Sequence, residues 1–217
     1  MAGGFLGEHF EFWRQFRERF DTTGAVAPSS RFLARALCSH LTKRDRPVRI
    51  LEIGPGTGAV TKELVQLVRP GDQLDLVELN ERFVELLREK FLQEPSFVKI
   101  ASQSAVHQCP LQEFESTAPY DFVISGLPLN NFPPPLVREI FEAYFRLLAP
   151  GGVLSYFEYM YVRSVKKSLS PSEDERQRLH ALDEIIQPHL AAHRVRRDWV
   201  FANVPPAWVQ HLRVKSP

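Results

Sequence analysis

The stretch Leu51–Ala59 reads LEIGPGTGA and decides the fold. It places Gly54, Gly56 and Gly58 between an apolar run typical of a buried strand and a run typical of a helix. Glycine permits the unusual backbone angles of a tight turn and lets a ligand approach the main chain. The next predicted strand ends at Glu78, 20 residues after Gly58 (78 − 58), where a carboxylate can accept hydrogen bonds from ribose hydroxyls. Together these features predict a nucleoside-bearing cofactor.

The residues around these glycines bear on which cofactor is bound. Gly54, Gly56 and Ala59 also fit the dinucleotide fingerprint, whose last position can be alanine. Glu52, however, lies two residues before the first glycine, where a carboxylate suits an amino-acid ammonium better than a pyrophosphate. The chain also leaves no room for a separate substrate domain. These features favour a cofactor with an amino-acid group over a nicotinamide. The alternative is a glycine turn that only packs a strand on a helix.

Strands and helices alternate along the chain. Strands are predicted at 48–53, 74–78, 97–100, 120–125, 153–159, 199–201 and 209–214. Helices are predicted at 5–20, 29–42 (with Ser29 or Ser30 as N-cap), 57–67, 81–92, 136–148 and 173–190. This order predicts an α/β fold with a doubly wound, mostly parallel seven-stranded sheet that binds ligands at the carboxyl ends of its strands. Residues 1–45 are predicted to form an N-terminal helical extension, and residues 46–217 the cofactor-binding domain.

Composition and charge argue against several classes of protein. The chain has 217 residues, and its 27 Lys+Arg against 26 Asp+Glu give a formal net charge of +1. Nucleic-acid-binding domains usually carry a basic excess, so no nucleic-acid partner is expected. Cys38 and Cys109 cannot form a disulfide framework or a four-cysteine zinc site, and His189 and His193 lack a third ligand, so no metal is expected. No apolar run approaches the roughly 18 residues of a membrane span, and no signal peptide is evident, so a cytoplasmic location is expected.

The segment Glu52–Gly58, EIGPGTG, resembles motif I of the class I S-adenosylmethionine-dependent methyltransferases. The resemblance implies a Rossmann-like methyltransferase sheet, with S-adenosylmethionine as cofactor and S-adenosylhomocysteine as product. It implies that Glu52 faces the methionine ammonium and that Glu78 holds the ribose. The family often has an acidic residue near the adenine at the end of strand three, and Ser104 takes that place here. The cofactor-binding residues so implied are Glu52, Gly54, Gly56, Thr57, Gly58, Glu78, Leu79, Ser104, Ala105 and Ser125.

A proline-containing loop, Ser125–Pro134 (SGLPLNNFPP), follows the fourth predicted strand. It is expected beside the glycine loop, where the strand order reverses and a substrate can reach the cofactor. Proline holds the backbone extended, and backbone carbonyls can accept hydrogen bonds from an amine and orient its lone pair. In amine methyltransferases this loop carries Asn or Asp and an aromatic residue. Gly126–Leu129 has neither, so the carbonyls of Ser125 and Gly126 are expected to orient the amine. The alternative is a proline-rich connector.

Three segments resemble the bacterial phospholipid N-methyltransferases, which convert phosphatidylethanolamine stepwise towards phosphatidylcholine. They are Gly24–Arg31, Ser125–Leu129 and Asn203–Ala207, and the resemblance extends from about Phe12 to the C-terminus. It implies N-methylation of phosphatidylethanolamine and its mono- and dimethyl forms, with a phospholipid as substrate. The predicted catalytic residues are Ser125, Gly126, Leu127 and Tyr159. The predicted substrate-binding residues are Ser30, Arg31, Asn130, Tyr159 and Arg163.

Residues 5–20 are predicted to form an amphipathic helix that lies on a membrane surface. Its apolar face holds Phe5, Leu6, Phe10, Phe12, Trp13, Phe16 and Phe20. A helix with Trp and Phe on one side and charged residues on the other binds a bilayer interface through apolar burial. The expected location is therefore cytoplasmic, peripherally associated with the inner face of the membrane. Core packing of this helix or a dimer contact are the alternatives, and the oligomeric state is left open.

Other functions are compatible with the glycine motif. RNA adenine-N6 methyltransferases have similar motifs, but they would need Asn at position 126, an aromatic residue at position 129 and a basic RNA surface, none of which is visible. A non-catalytic, membrane-associated cofactor-binding protein and a methyltransferase of small-molecule amines also stay open. In an N-methylation the amine must lose a proton, because an alkylammonium has a pKa of about 10. No strong general base is evident from the sequence, so proton loss to water is expected.

Overall fold

The computed structural model describes residues 30–160 and 173–215. Its strands are β1 (Arg49–Ile53), β2 (Gln73–Glu78), β3 (Ser104–Gln108), β4 (Tyr120–Ser125), β5 (Leu148–Tyr159), β6 (Arg194–Val200) and β7 (Ala207–Arg213). Its α-helices are α1 (Arg31–Cys38), α2 (Thr61–Leu67), α3 (Glu81–Gln93), α4 (Pro95–Val98), α5 (Pro134–Leu147) and α6 (Glu173–His193). Short 3-10 helices lie at Ser39–Lys43, Ala101–Gln103, Leu111–Glu113 and Leu129–Asn131.

The described strands form one sheet of seven in the order β3-β2-β1-β4-β5-β7-β6. Strands β1 to β5 pair in parallel, whereas β7 is antiparallel to both β5 and β6. The strand order reverses between the adjacent strands β1 and β4, so a crevice opens outside their carboxyl ends. The predicted doubly wound, mostly parallel seven-stranded fold is confirmed.

Helices cover both faces of the sheet and bury its apolar side chains. Helices α1, α2 and α3 pack on one face through residues such as Leu33, Leu64 and Leu87. Helix α5 packs on the opposite face together with α6, through residues such as Ile140 and Ile186. This layering buries both faces of the central strands, which leaves their carboxyl ends as the place where polar groups can serve a ligand.

Local sequence signals fix where the helices begin. The Ser30 hydroxyl accepts a hydrogen bond from the Leu33 amide (3.2 Å) and so caps α1, as predicted. Helix α2 was expected from residue 57 but begins at Thr61. The reason is that Gly54, Gly56 and Gly58 adopt φ angles of 66°, 57° and 86°, which hold the intervening backbone in a turn instead of a helix.

The prediction for strand three was wrong. Residues 97–100 were expected to form it, but Pro95–Val98 is a short helix and β3 begins only at Ser104. Pro95 occupies the first helical position, where its fixed φ favours a helical turn. Phe97 and Ile100, three residues apart, are both buried in the same core cluster, a helical spacing that the sequence reading took for a strand.

Several predictions concern residues that the structure does not describe. The helix at 5–20 and the capping role of Ser29 lie outside the described residues, and the domain boundary at residue 45 stays a prediction. Within ranges 30–160 and 173–215, no helix combines the length and the apolar character that a membrane span requires.

Candidate cofactor and acceptor site

The glycine loop and the acceptor loop touch each other at the carboxyl ends of β1 and β4. The Gly126 amide donates a hydrogen bond to the Ile53 carbonyl (2.8 Å), and the Gly54 amide donates to the Val77 carbonyl (2.9 Å). A Cβ atom at position 126 would lie 2.7 Å from the Gly54 carbonyl oxygen. The absence of a side chain at Gly126 therefore has a physical reason, because only glycine lets the two loops approach this closely.

Glu78 ends β2 and points its carboxylate at the glycine loop. Its Oε2 accepts a hydrogen bond from the Gly56 amide (3.0 Å). Its Oε1 accepts from the amides of Leu79 and Asn80, both at 2.9 Å. The side chain is almost completely buried. The structure thus brings together the predicted ribose-binding carboxylate and the predicted cofactor loop.

Glu52 is a fully buried carboxyl group under the same loop. Neither carboxylate oxygen has a hydrogen-bond partner of ordinary geometry among the described residues. Burial raises its pKa to about 8; the charge of Glu78 adds to this rise, and the neighbouring Thr61 opposes it. No cation among residues 30–160 and 173–215 is hydrogen-bonded to this buried carboxyl, and an ammonium group is a partner that would restore its charged form.

A cleft of about 290 Å³, open solvent included, is lined by Glu78 and by Ile53 and Gly54, which follow Glu52 in the chain. Its lining residues are Ile53, Gly54, Val77, Glu78, Leu79, Cys109, Pro110, Leu111 and Leu127. They come from the carboxyl ends of β1, β2, β3 and β4, the edge at which a parallel sheet binds ligands.

The prediction that Ser104 and Ala105 contact the adenine is wrong, because these residues lie at the start of β3 and the cleft lies at its carboxyl end. Ser104 pairs with Leu74 at the start of both strands, whereas Gln108 pairs with Glu78 at their carboxyl ends. Ser104 and Ala105 therefore lie at the opposite end of β3 from the cleft, and the Ser104 hydroxyl donates to the Ile100 carbonyl (3.0 Å). The error follows directly from the misplaced strand. The residues that line the cleft after β3 are Cys109, Pro110 and Leu111.

Ser125 anchors the acceptor loop through its side chain. Its Oγ lies 2.5 Å from the Tyr144 hydroxyl of α5 and also accepts a hydrogen bond from the Leu127 amide (3.2 Å). The Ser125 side chain is fully buried, and a contact between its carbonyl and an amine stays a prediction. Outside the regular helices and strands, no described backbone amide donates to the Gly126 carbonyl.

Two other predicted acceptor residues are buried. Asn130 lies in the turn after the loop, where its carbonyl accepts a hydrogen bond from Arg178 (3.1 Å) and its side-chain amide nitrogen has no partner among the described residues. Tyr159 ends β5, with its ring edge-on to Phe157 (centroids 5.0 Å apart) in the core beneath α1. Burial raises the pKa of Tyr159 to about 12. A headgroup contact by either residue stays a prediction.

Sequence reasoning missed Glu158. This carboxylate is almost completely buried one residue before the end of β5. Its Oε1 accepts hydrogen bonds from the Tyr156 hydroxyl (3.1 Å) and from Gln210 (3.5 Å). Because Tyr156 pairs with Ser125 in the parallel β4–β5 ladder, Glu158 lies two residues further on, at the level of the acceptor loop. The signal in the sequence was a single carboxylate inside the apolar run SYFEYM.

Two distant segments meet at the start of α1. The Ser30 amide donates to Asn203 Oδ1 (3.1 Å), so the segments that resemble the phospholipid N-methyltransferases, around Ser30 and around Asn203, are in contact. The Arg31 guanidinium lies over the Phe32 ring, 4.9 Å from its centroid. Arg163, the remaining predicted substrate residue, lies outside the described residues.

Known proteins match both the sequence and this architecture. The methyltransferase domain family matches residues 50–152. The chain is 30% identical over 155 residues to an ornithine lipid N-methyltransferase of Singulisphaera acidiphila. The matched region covers 71% of this chain and 80% of that relative. The chain belongs to the S-adenosylmethionine-dependent methyltransferase family.

Two further matches place this methyltransferase among its relatives. It is 28% identical over 128 residues to the ribosomal RNA small subunit methyltransferase A of Marinobacter nauticus, a match that covers 56% of this chain and 39% of that relative. The solved structure of the O-methyltransferase TomG from Streptomyces achromogenes, in complex with SAM, superposes with a TM-score of 0.61 at 19% identity, over 94% of this chain and 89% of that chain. The structural likeness shows the fold.

S-adenosylmethionine is the cofactor, and the described residues fit it. Glu52 offers a buried, unpaired carboxyl for the methionine ammonium, and Glu78 lines the cleft at the position expected for the ribose. Gly54 lines the cleft and carries no side chain, so a ligand can approach its backbone. Among the described residues no group of three or more His, Cys, Asp or Glu side chains is arranged to hold a metal ion.

Proposed function

We propose that this methyltransferase methylates the amine of phosphatidylethanolamine, and of its mono- and dimethyl forms, at a membrane surface. The observation that carries the proposal is the buried carboxylate of Glu158 at the level of the acceptor loop. A carboxylate in such a place favours a cationic or hydrogen-bond-donating acceptor, which an ethanolamine headgroup provides. The similarity to a lipid N-methyltransferase supports a lipid as the carrier of that amine.

The cofactor half of the site binds and orients. When bound, S-adenosylmethionine supplies an activated methyl group on a sulfonium, so the protein need not activate the donor. Glu52 pairs with the methionine ammonium in our proposal, and Glu78 accepts hydrogen bonds from the ribose hydroxyls. The backbone amides of Gly56, Leu79 and Asn80 hold the Glu78 carboxylate in place, so its orientation is set before the ligand arrives.

The acceptor half presents a neutral amine to the methyl group. An ammonium with a pKa of about 10 must lose a proton before its lone pair can attack. Glu158 accepts this proton, assisted by hydrogen bonds from Tyr156 and Gln210 that hold its Oε1 in one orientation. The Gly126 carbonyl accepts a hydrogen bond from the remaining N–H of a primary or secondary amine and so orients its lone pair, whereas the dimethylated amine has no N–H left for this contact.

An ornithine lipid is the second candidate acceptor. The relative from Singulisphaera acidiphila favours it at 30% identity over most of both chains. Both lipids present an amine near the membrane surface, so the same carboxylate and loop would serve either one. The match to a ribosomal RNA methyltransferase is limited to 39% of that relative, and the net charge of +1 provides no general basic excess for RNA.

A methylation assay with three different acceptors tests the proposed function. The full chain is incubated with methyl-labelled S-adenosylmethionine and, in parallel, with vesicles of phosphatidylethanolamine, vesicles of ornithine lipid, and small-subunit ribosomal RNA. We expect label in mono-, di- and trimethylated phosphatidylethanolamine. Label confined to ornithine lipid would assign the second candidate, and label confined to RNA would overturn a lipid substrate. The variant Glu78→Gln, impaired in cofactor binding, serves as the negative control.

A further inference from the structure

Exposed apolar side chains cluster at one hairpin. Seven large apolar residues are exposed among the described residues: Phe32, Leu92, Val98, Val195, Trp199, Phe201 and Val204. Three of them are Trp199, near the end of β6, and Phe201 and Val204, in the connection from β6 to β7; they are 56%, 68% and 78% exposed. We call these three residues the aromatic tip. Exposed apolar residues grouped in this way mark interaction surfaces, whereas single ones need no explanation.

The aromatic tip is held firmly in its exposed position. Asn203, between its members, is only 4% exposed. Its Oδ1 accepts the Ser30 amide (3.1 Å), and its Nδ2 donates to the Pro205 carbonyl (2.7 Å). The rings of Trp199 and Phe201 stack on each other with centroids 5.7 Å apart. One buried amide thus fixes the turn to α1 while its apolar neighbours face outward, so the exposure is a built feature of the fold.

The aromatic tip lies at the edge of the sheet that carries the site. Glu158 on β5 pairs with Trp208 on β7, and Trp208 pairs with Trp199 on β6. Neighbouring strands are about 4.8 Å apart, so the backbones at Glu158 and Trp199 are separated by about 10 Å. Side chains of register partners share one face of a sheet. A surface that docks on the tip therefore lies next to the proposed acceptor carboxylate.

The charges near the tip indicate what docks there. Strand β6 carries three exposed arginines, Arg194, Arg196 and Arg197, against the single carboxylate Asp198. Arg196 pairs with Asp198 at 2.7 Å, and the Arg197 guanidinium lies 5.5 Å from the Trp208 ring centroid. This surface thus has aromatic rings at its tip and arginines along the strand behind it. The same order of layers suits a bilayer interface, where aromatic rings lie at headgroup level and guanidinium groups bind phosphates.

We propose that the aromatic tip inserts into the headgroup region of a phospholipid bilayer and turns the acceptor side of the site towards the membrane. This membrane contact is separate from the predicted helix at residues 5–20. It rests on the proposed function only for the identity of the lipid that enters the site. The tip presents Trp199 and Phe201 to the apolar boundary, and the arginines of β6 remain among the phosphates.

Vesicle binding by the full-length chain tests the proposal. The tip variant Trp199→Ser/Phe201→Ser is compared with the matched control Leu92→Ser/Val98→Ser, which removes two exposed apolar side chains on α3 and α4. The vesicles contain phosphatidylcholine and phosphatidylglycerol in equal amounts. We expect the tip variant to lose roughly tenfold or more in apparent vesicle affinity, and the control to keep it. Equal affinity of the tip variant and the parent chain would overturn the proposal.

A second measurement follows the tip directly. The chain has three tryptophans, so the variant Trp13→Phe/Trp208→Phe leaves Trp199 as the only one. On vesicles with brominated acyl chains, we expect its fluorescence to shift to shorter wavelength and to be quenched. Unchanged emission would contradict insertion. Sedimentation equilibrium covers the alternative occupant: if the tip substitutions only convert a dimer into a monomer, the surface binds a second copy and the proposal is wrong.

Failure of the proposed function gives a different result. If the parent chain binds vesicles through the tip but labels no lipid, the membrane contact stands and the acceptor assignment falls. If the tip variant methylates detergent-dispersed phosphatidylethanolamine at the parent rate but fails on vesicles, both proposals stand. If it methylates vesicle lipid as fast as the parent chain, the tip does not orient the site.

Discussion

Binding of the cofactor is expected to release a proton from Glu52. The pKa of this buried carboxyl is raised to about 8, so about nine-tenths of the molecules carry a proton on Glu52 at pH 7. The cofactor's α-amino group, with an ordinary pKa of about 7.7–8.0, is mostly protonated at that pH. Pairing the ammonium with Glu52 requires the carboxylate form. Glu52 then gives up about 0.9 proton at pH 7, and the small neutral fraction of the amine takes up about 0.1–0.2. We therefore expect the net release of roughly 0.8 proton per bound cofactor at pH 7, and less as the pH rises through 8.

Isothermal titration calorimetry measures this release. The observed binding enthalpy of S-adenosylmethionine is compared in buffers of different ionisation enthalpy at pH 7, and the slope gives the number of protons released. In Glu52→Gln we expect a slope near zero and an affinity lower by roughly 10- to 100-fold, because a buried charged hydrogen bond is lost. The same substitution at the exposed Glu85 is the control. A parent chain without buffer dependence, or a Glu52→Gln variant that still releases the proton, would refute the reasoning.

The same carboxyl predicts a pH dependence of stability. The pKa of Glu52 is about 8 in the fold against an ordinary 4.5, so the unfolded chain gives up this proton at lower pH than the folded chain does. Stability conferred by the protonated form is full below about pH 4.5 and is lost as the pH rises towards 8. Relative to Glu52→Gln, the cofactor-free parent should lose between about 2 and 3 kcal/mol of stability from pH 5.5 to pH 7.5, measured by urea denaturation. A constant difference would contradict the buried, protonated state.

Three further substitutions test the neighbouring contacts. Gly126→Ala places a Cβ 2.7 Å from the Gly54 carbonyl oxygen, so we expect a loss of about 1–3 kcal/mol in stability and weaker cofactor binding; normal values for both would contradict the close approach. Ser125→Ala leaves the buried Tyr144 hydroxyl without this partner and should cost about 1–3 kcal/mol in urea denaturation with little change in cofactor affinity. Glu78→Gln removes the charge held by three backbone amides and should lower cofactor affinity roughly 10- to 100-fold by calorimetry; an unchanged affinity would exclude Glu78 from the site.

The sequence predicted the features that depend on contiguous residues. The loop from Gly54 to Gly58 is specified by its own backbone requirements, and all three glycines adopt positive φ. Glu78 could be located because it ends the strand that follows the loop's helix. Strand three was misplaced because Phe97 and Ile100 satisfy an apolar pattern in a helical turn as well as in a strand, and the adenine assignment at Ser104 failed with it.

Features that depend on contacts between residues far apart in the chain could not be predicted from the sequence. Glu158 reaches the level of the acceptor loop only through the register that pairs Tyr156 with Ser125, 31 residues earlier (156 − 125). The contact of Ser30 with Asn203 spans 173 residues, and no local pattern specifies it. The need for glycine at position 126 likewise comes from the Gly54 carbonyl of another strand's loop. All three features arise from contacts that form only in the folded chain. The local sequence shows which residues are present there, but not which residues they contact.

Lipid mass spectrometry of Glu158→Gln against the parent chain tests the central claim most directly. Both proteins are incubated with S-adenosylmethionine and phosphatidylethanolamine vesicles, and the extracted lipids are examined for added methyl groups. We expect successive methylation by the parent chain and at least roughly a hundredfold slower product formation by Glu158→Gln, with cofactor affinity unchanged by calorimetry. Parent-rate methylation by Glu158→Gln, or no methylated lipid from the parent chain, would contradict an amine acceptor held by Glu158.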